Sequence, residues 1–181
     1  MRNRFIAACV TVCVVAGSWT YAAPGGFGPQ RIGAGLQYDL VTGDADNAYG
    51  AYLKYQLDLP DPMALIIDLS WATGEFDVPA GSGDYTSTAL GIALVAQKDM
   101  GDWTPYAGAG GANHWNDYDN VNYDNKLSMF WLAGARLDLG NGFECDMNLR
   151  MRFLDVDSND PVVDNINMDA IVFRVGVTHE L

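Results

Sequence analysis

The side chains best suited to bind a metal ion are oxygen-rich groups in the second half of the chain. Five of them are weak candidates for such a site: Asp155, Asp157, Asn159, Asp117 and Asp119. The first three have the alternate-residue spacing that opens a calcium-binding loop, because a hard cation requires several oxygen ligands. The glycine of that loop at its sixth position and the glutamate at its twelfth are replaced by Asp160 and Ile166. Both segments are therefore predicted to be solvated loops, and no metal ion or cofactor is predicted.

Histidine and cysteine are the next residues to test, because they provide the bases and nucleophiles of many enzymes. His114 and His179 are the only histidines, and a lipid A deacylase carries a histidine and a serine two residues apart. Asn116 and Leu181 occupy those positions here. Two histidines alone do not make a metal site, and Cys145 follows the apolar parity of its segment as a small apolar residue. A non-enzymatic protein is predicted, with a membrane-embedded lipid-modifying enzyme as the alternative.

Cys145 belongs to the most regular segment of the chain, Phe143–Phe153. Its odd-numbered residues are all apolar, and its even-numbered residues are all polar or charged. Because successive side chains of an extended chain point to opposite sides, this alternation predicts a strand with one apolar and one charged face. Such a strand, tilted by about 40°, rises roughly 28 Å, close to the height of a bilayer core. In a soluble sheet the apolar face covers a core, whereas in an outer-membrane barrel it contacts lipid and the charges point into the lumen.

The same alternation recurs along the chain and predicts eight strands. They comprise residues 31–41, 49–58, 65–71, 85–97, 103–112, 127–139, 143–153 and 171–181. The connections alternate in length, and the long ones are residues 74–84, 114–126 and 155–165. The short connection Gly140-Asn141-Gly142 is predicted to be a tight hairpin turn, because glycine permits positive φ. This organisation predicts an all-β fold, an eight-stranded antiparallel up-and-down transmembrane β-barrel with both termini on the periplasmic side.

The polar parity of these strands carries nearly balanced charge. It predicts a polar network in the lumen, formed by Arg31, Asp39, Lys54, Asp58, Asp68, Arg136, Asp138, Glu144, Asp146, Arg150, Arg152 and Arg174, with Glu180 on the same parity. Side chains fill the interior of a narrow eight-stranded barrel, so the network is predicted to plug the lumen. An open channel is the alternative. Strand register is expected to be tightly held, because an arginine facing lipid at mid-bilayer costs about 2–4 kcal/mol.

The start of the chain has the features of a secretory signal peptide, with a positive first region, an apolar run and small residues after it. The predicted domains are residues 1–22, the signal peptide, residues 23–30, a flexible lead, and residues 31–181, the outer-membrane β-barrel. Cys9 and Cys13 leave with the signal, so no intrachain disulfide is expected. The formal net charge of −13 argues against nucleic acid as a partner.

These features resemble the small outer-membrane β-barrel family that includes the OmpA transmembrane domain, OmpX and OmpW-like proteins. The resemblance rests on eight amphipathic strands, on Thr-Pro-Tyr-Ala-Gly-Ala-Gly at residues 104–110, which is similar to a fifth-strand motif of the family, and on a final strand that ends at the C-terminus. That strand ends in Leu181, where the family usually has phenylalanine.

The resemblance implies a protein of the outer membrane of a Gram-negative-type bacterium, placed there after signal-peptide export. Surface architecture, adhesion and small-solute passage are the implied roles. The implied partners are outer-membrane lipid and the outer-membrane insertion machinery. The acids concentrated in the long loops separately predict divalent cations as partners at acidic external loops. A secreted lipocalin-like carrier of a small hydrophobic ligand, with an apolar interior and a charged exterior, is a further alternative.

Overall fold

The computed structural model describes residues 28–42, 46–78, 81–118, 126–156 and 166–181. Within these ranges the strands are β1 (Gln30–Val41), β2 (Ala48–Asp58), β3 (Met63–Val78), β4 (Gly81–Gln97), β5 (Trp103–Tyr118), β6 (Lys126–Gly140), β7 (Phe143–Phe153), β8 (Asp155–Val156), β9 (Ile166–Asn167) and β10 (Ala170–Glu180). Eight strands close into a barrel in the order β1-β10-β7-β6-β5-β4-β3-β2, and β8 pairs with β9 in a separate sheet. All neighbouring strands of the barrel are antiparallel. The predicted eight-stranded up-and-down barrel is confirmed.

The first and last strands of the chain close the barrel. β1 pairs with β10 from Arg31 opposite Glu180 to Val41 opposite Ala170. Each barrel strand therefore has a partner on both sides, so closure removes the sheet edges that would otherwise expose backbone N–H and C=O groups. The connections β2–β3, β4–β5 and β6–β7 lie at one end of the barrel, called the turn end below. The connections β1–β2, β3–β4, β5–β6 and β7–β10 lie at the opposite end, called the loop end.

Alternation of side chains along each strand places apolar residues outside the barrel and polar residues inside. In β7, Met147, Leu149 and Met151 are exposed, whereas Asp146 and Arg150 on the other parity are buried. Other strands expose large apolar residues in the same way, for example Leu36, Tyr49, Ile92, Met129, Trp131 and Val175. A soluble barrel requires the reverse distribution. The structure thus contradicts the lipocalin-like alternative and is that of a barrel with a lipid-facing exterior.

The β6–β7 turn has the predicted conformation. Gly140, Asn141 and Gly142 have φ values of 83°, 56° and 77°, a left-handed region that glycine and, less readily, asparagine adopt. The β6–β7 ladder is irregular between Asp138 and Gly140. Asp138 is exposed beside the turn, and its carboxylate accepts a hydrogen bond from Gly140 N at 2.7 Å. Its assignment to the lumen network is therefore wrong, because strand periodicity does not take account of a side chain that folds back onto a turn.

β3 and β4 extend beyond the predicted strands. Their pairing continues from Gly74 opposite Tyr85 to Val78 opposite Gly81, so most of the predicted loop at residues 74–84 is a long hairpin. Glycine and aspartate have low strand propensity, which is why the sequence pattern indicates a loop. Pairing between the two strands satisfies the backbone groups regardless of that propensity.

β5 is also longer than predicted. His114 pairs with Ala89 and Asp117 pairs with Thr86, so both residues lie in a strand rather than in the predicted loop at residues 114–126. At the end of β7 the chain makes the short β8–β9 ladder, in which Asp155 pairs with Asn167. The predicted loop at residues 155–165 therefore begins and ends beside paired backbone.

Several predictions concern residues outside the described ranges. They include the signal peptide at residues 1–22 and the metal candidates Asp119, Asp157 and Asn159. In the part of the chain that the structure describes, no helix is long and apolar enough to cross a membrane. In the same ranges, no three or more His, Cys, Asp and Glu side chains are grouped as a metal site.

Candidate functional site in the barrel lumen

The turn end of the lumen contains a charged cluster around Arg31. The guanidinium approaches the carboxylates of Asp58 at 2.5 Å, Glu144 at 3.1 Å and Glu180 at 3.1 Å. Arg136 Nε lies 3.3 Å from the same Glu144 oxygen. Three carboxylates thus meet two guanidiniums, and this layer has an excess of one negative charge. The Glu180 side chain is 47% exposed, so the excess charge adjoins solvent.

The next layer toward the loop end is a buried ion pair between Lys54 and Asp146. The Tyr106 hydroxyl donates a hydrogen bond of 2.6 Å to the second carboxylate oxygen of Asp146. Lys54 also donates to the amide oxygen of Gln56 at 3.4 Å. A buried charge without a partner costs several kcal/mol. Each charge of this layer has an opposite charge and a polar neighbour, so the layer is neutral and satisfied.

The middle of the lumen contains a triad, defined here as Asp68, Arg150 and Arg174. Arg150 donates from both terminal nitrogens to the two oxygens of Asp68, at 3.2 and 2.9 Å. Arg174 Nη1 donates to Asp68 Oδ1 at 2.9 Å. Each guanidinium also lies over an aromatic ring, Arg150 at 4.8 Å from the centroid of Phe130 and Arg174 at 4.9 Å from that of Tyr52. The planar guanidinium of arginine can pair with a carboxylate through two hydrogen bonds and can stack on a ring. The ammonium group of lysine can do neither.

A fourth charged group lies closer to the loop end. Arg152 Nη1 contacts Asp39 Oδ2 at 2.8 Å, and Arg152 Nη2 donates to the backbone oxygen of Met168 at 3.3 Å. The Gln37 amide donates to the other Asp39 oxygen at 3.2 Å. These contacts join β1, β7 and the segment before β10, so they tie together strands on both sides of the closure.

An uncharged polar layer around His114 lies on the opposite wall. His114 Nδ1 is 3.2 Å from Ser87 Oγ, and His114 Nε2 is 2.8 Å from Ser128 Oγ. A serine beside a histidine is the arrangement of nucleophilic catalysis. Here, however, Ser128 is 1% exposed and His114 is 2% exposed. Both groups are thus buried, and the two hydroxyls satisfy the nitrogens of the buried imidazole.

The remaining lumen wall, on β3 to β6, is apolar. Its inward side chains form one cluster: Ala64, Ile66, Ala89, Ala93, Val95, Tyr106, Ala112, Phe130 and Leu132. Small residues on β5 make room for the rings, since a Cβ added at Gly110 would lie 2.7 Å from the Phe130 ring. The lumen cavity beside the triad measures about 20 Å³, enough for about one water-sized particle. The described side chains therefore fill the interior.

The structure brings eleven of the twelve predicted network residues into ion pairs, Asp138 being the exception. Glu180, which shares their parity, joins them. The ion pairs described above for the lumen then join six basic and six acidic residues: Arg31, Lys54, Arg136, Arg150, Arg152, Arg174, Asp39, Asp58, Asp68, Glu144, Asp146 and Glu180.

Sequence reasoning missed the neutral members of the lumen network. Tyr106, Gln56 and His114 all hydrogen-bond inside the barrel. Their inward parity was the available signal for Tyr106 and Gln56, because an inward polar group of a narrow barrel needs a partner. His114 could not be assigned to the lumen from the sequence, because the predicted β5 ended before it.

Outside the lumen, the loop end contains an acidic pocket. It has a volume of about 380 Å³ and is lined by Asp46, Asn47, Tyr49, Thr73, Gly74, Glu75 and Asp84. Of the other candidates, Asp117 is exposed on β5, Asp155 lies in β8, and Cys145 is a half-buried residue of the outward parity with a free thiol.

No protein-family model and no curated protein sequence matches this chain. Solved structures do match it. The outer membrane protein OprG from Pseudomonas aeruginosa has a TM-score of 0.71 at 11% identity, and the match covers 88% of this chain and 98% of that one. Neisserial surface protein A has a TM-score of 0.66 at 14% identity, with 87% and 100% covered. The outer membrane protein AlkL, determined in lipid bilayers, has a TM-score of 0.55 at 18% identity, with 88% and 94% covered.

At these identities the likeness establishes the fold. This chain has the eight-stranded architecture of small outer-membrane barrels of Gram-negative bacteria. Its exposed apolar exterior and its charged interior are the distribution that such a barrel requires. The fold and the exterior together are those of an integral outer-membrane protein.

Proposed function

We propose that this protein is a non-enzymatic outer-membrane barrel that acts in surface architecture and adhesion through its loop end, and that its lumen does not conduct solutes. The observation that carries the proposal is the stack of ion-paired layers across the lumen, from the Arg31 cluster through Lys54–Asp146 to the triad. The barrel then serves as an anchor, and the surface that it presents outside the membrane performs the function.

The ion pairs cross the lumen rather than follow one wall. Lys54–Asp146 joins β2 to β7, and Asp68 joins β3 to Arg150 on β7 and Arg174 on β10. Removing one partner of a buried pair costs about 3–5 kcal/mol, since the other charge is left without compensation. A solute pathway along the axis requires several such pairs to separate together. The closed lumen therefore supports an anchoring role over small-solute passage.

The loop end supports the second part of the proposal. The β3–β4 hairpin continues past the end of the β2–β3 pairing, and Glu75 and Asp84 lie opposite each other on it. Together with Asp46 they line the acidic pocket. Negative potential at such a rim attracts cations and basic surfaces and repels anionic headgroups. The proposed partners are accordingly divalent cations and basic surface groups, besides the surrounding lipid and the machinery that inserts the barrel.

A conductance measurement tests the closed lumen. We expect purified protein in planar lipid bilayers to give no well-resolved open channels. The double variant Lys54→Ala/Asp146→Ala removes one layer without leaving an unpaired charge, and it should stay closed as well, because the Arg31 cluster and the triad still cross the lumen. Regular channel openings of the unaltered protein would contradict the closed lumen.

An attachment assay tests the loop end. Cells that display the protein should be retained on a surface coated with basic protein. The variant Asp46→Asn/Glu75→Gln/Asp84→Asn should lose most of that retention. The control Asp61→Asn/Asp99→Asn/Asp102→Asn makes the same change in charge at exposed positions of the turn end, and it should retain cells as the unaltered protein does. Equal retention by both triple variants would refute an adhesive loop end.

A further inference from the structure

The middle of the lumen contains more positive charge than its neighbours compensate. The Lys54–Asp146 and Arg152–Asp39 layers each pair one cation with one anion. In the triad, two guanidiniums share the single carboxylate of Asp68. The compensating excess of negative charge lies in the Arg31 cluster at the turn end, where Glu180 is half-exposed. The ion-paired layers are balanced in total but not locally, and the unbalanced cation is the buried one.

A small cavity adjoins this excess of positive charge. It measures about 20 Å³, and it lies between the triad and the His114 layer. Its polar lining residues are Asp68, Ser70, His114, Ser128, Arg150, Arg152 and Arg174. Three of these side chains are cationic and one is anionic. Ala89, Ala112, Phe130 and Val172 complete the wall.

Arginine nitrogens at this cavity lack acceptors. Arg174 is 6% exposed, and its Nε is buried without a hydrogen-bond partner among the described residues. The same holds for Nε of Arg152 and, at the turn end, for Nε of Arg31 and Arg136. A buried N–H group of a charged side chain that has no acceptor is costly. Arg152 and Arg174 differ from the two arginines of the turn end in that both line this one cavity.

We propose that the lumen binds one small inorganic anion of halide size in the cavity lined by Arg150, Arg174 and Ser70. The cavity holds about one water-sized particle, which excludes phosphate, sulfate and organic anions. A neutral water satisfies donors but leaves the extra guanidinium charge uncompensated, whereas an anion does both. The site goes beyond the anchoring role and depends only on the lumen geometry.

Bromide replacement tests the proposal directly. The full barrel is crystallised with sodium bromide in place of sodium chloride, and the anomalous signal of bromine is measured. The expected result is one anomalous peak between Arg174 and Ser70. A cavity that contains only non-anomalous solvent density under these conditions would overturn the proposal.

A measurement in solution provides the second readout. At constant ionic strength, replacing gluconate with chloride should raise the unfolding midpoint of the detergent-solubilised barrel in a saturable way. Arg174→Gln should remove this dependence, whereas Arg31→Gln, which changes charge at the turn end, should keep it. If Arg174→Gln does not fold, Ser70→Ala should still fold and should weaken the apparent chloride affinity about tenfold. An equal, non-saturating response of all variants would contradict the anion site.

Discussion

At the scale of single residues, the interior is organised by carboxylates that serve more than one cation or donor. Asp68 accepts from two arginines, and Asp146 accepts from Lys54 and Tyr106. Both oxygens of each of these carboxylates accept a hydrogen bond from a donor, and such bonds favour the charged form inside the barrel. Loss of either charge therefore affects more than one partner.

Replacing Asp68 with asparagine should strongly destabilise the barrel. The change leaves Arg150 and Arg174 without a carboxylate, and we expect the free energy of unfolding to fall by about 3–5 kcal/mol. Urea unfolding in lipid vesicles, followed by tryptophan fluorescence, measures the loss. Asp138→Asn is the matched control, because Asp138 is exposed and an asparagine oxygen can still accept from Gly140 N. Similar losses in the two variants would contradict the placement of Asp138 outside the network.

At the scale of elements, the β3–β4 hairpin departs most from its predicted length. Pairing extends through residues that disfavour strands, and it places Glu75 directly opposite Asp84. Like charges across a ladder destabilise a sheet. The proposed function assigns both carboxylates to attracting cations. The negative charge that this role requires therefore lowers the stability of the hairpin.

Neutralising one member of that pair should stabilise the hairpin. For Glu75→Gln we expect the free energy of unfolding to rise by roughly 0.2–1 kcal/mol, since the cross-strand repulsion is removed. The gain should shrink as salt is added, because both groups are exposed and screened. Asp99→Asn, an exposed acid at a turn, is the control and should show no gain. A loss of stability in Glu75→Gln would indicate that the carboxylate has a favourable partner.

At the scale of the whole molecule, the barrel has the reverse of a soluble distribution. Large apolar side chains are exposed all around the exterior, and buried charges are paired inside. In lipid an apolar exterior carries no cost, whereas every unsatisfied backbone group does. The closure of β1 on β10 and the inward position of the charged side chains are therefore both consequences of a lipid environment.

Arginine substitutions on the outside should show the depth of the bilayer. Leu149 is an outward residue in the middle of β7, and Leu127 is an outward residue near the loop end of β6. Leu149→Arg should cost about 2–4 kcal/mol, whereas Leu127→Arg should cost about 0–1 kcal/mol, because the penalty falls toward the interface. Folding titrations into lipid vesicles measure both. Equal small effects would be those of a water-exposed surface and would contradict a lipid-facing exterior.

The faces of the strands were predictable, but the partners inside the lumen were not. Period-2 alternation places Arg150 and Arg152 inside because it depends only on neighbours along the chain. Their carboxylates, Asp68 and Asp39, are 82 and 113 residues away. Which of several inward acids an arginine meets depends on strand register and on the stagger of the closed barrel. Asp138 and His114 were misplaced for a related reason, since strand ends depend on pairing rather than on local composition.

By itself, the sequence determined the all-β class, the eight strands, the two faces and the approximate charge balance of the lumen, because alternation and turn chemistry are local. Only the tertiary structure decided the ion-pair partners, the length of the β3–β4 hairpin and the excess positive charge of the triad. These features arise from contacts between strands that are distant in the chain, and barrel closure selects them. The proposed anion site belongs to this second group, since it exists only where β3, β7 and β10 bring one aspartate between two arginines.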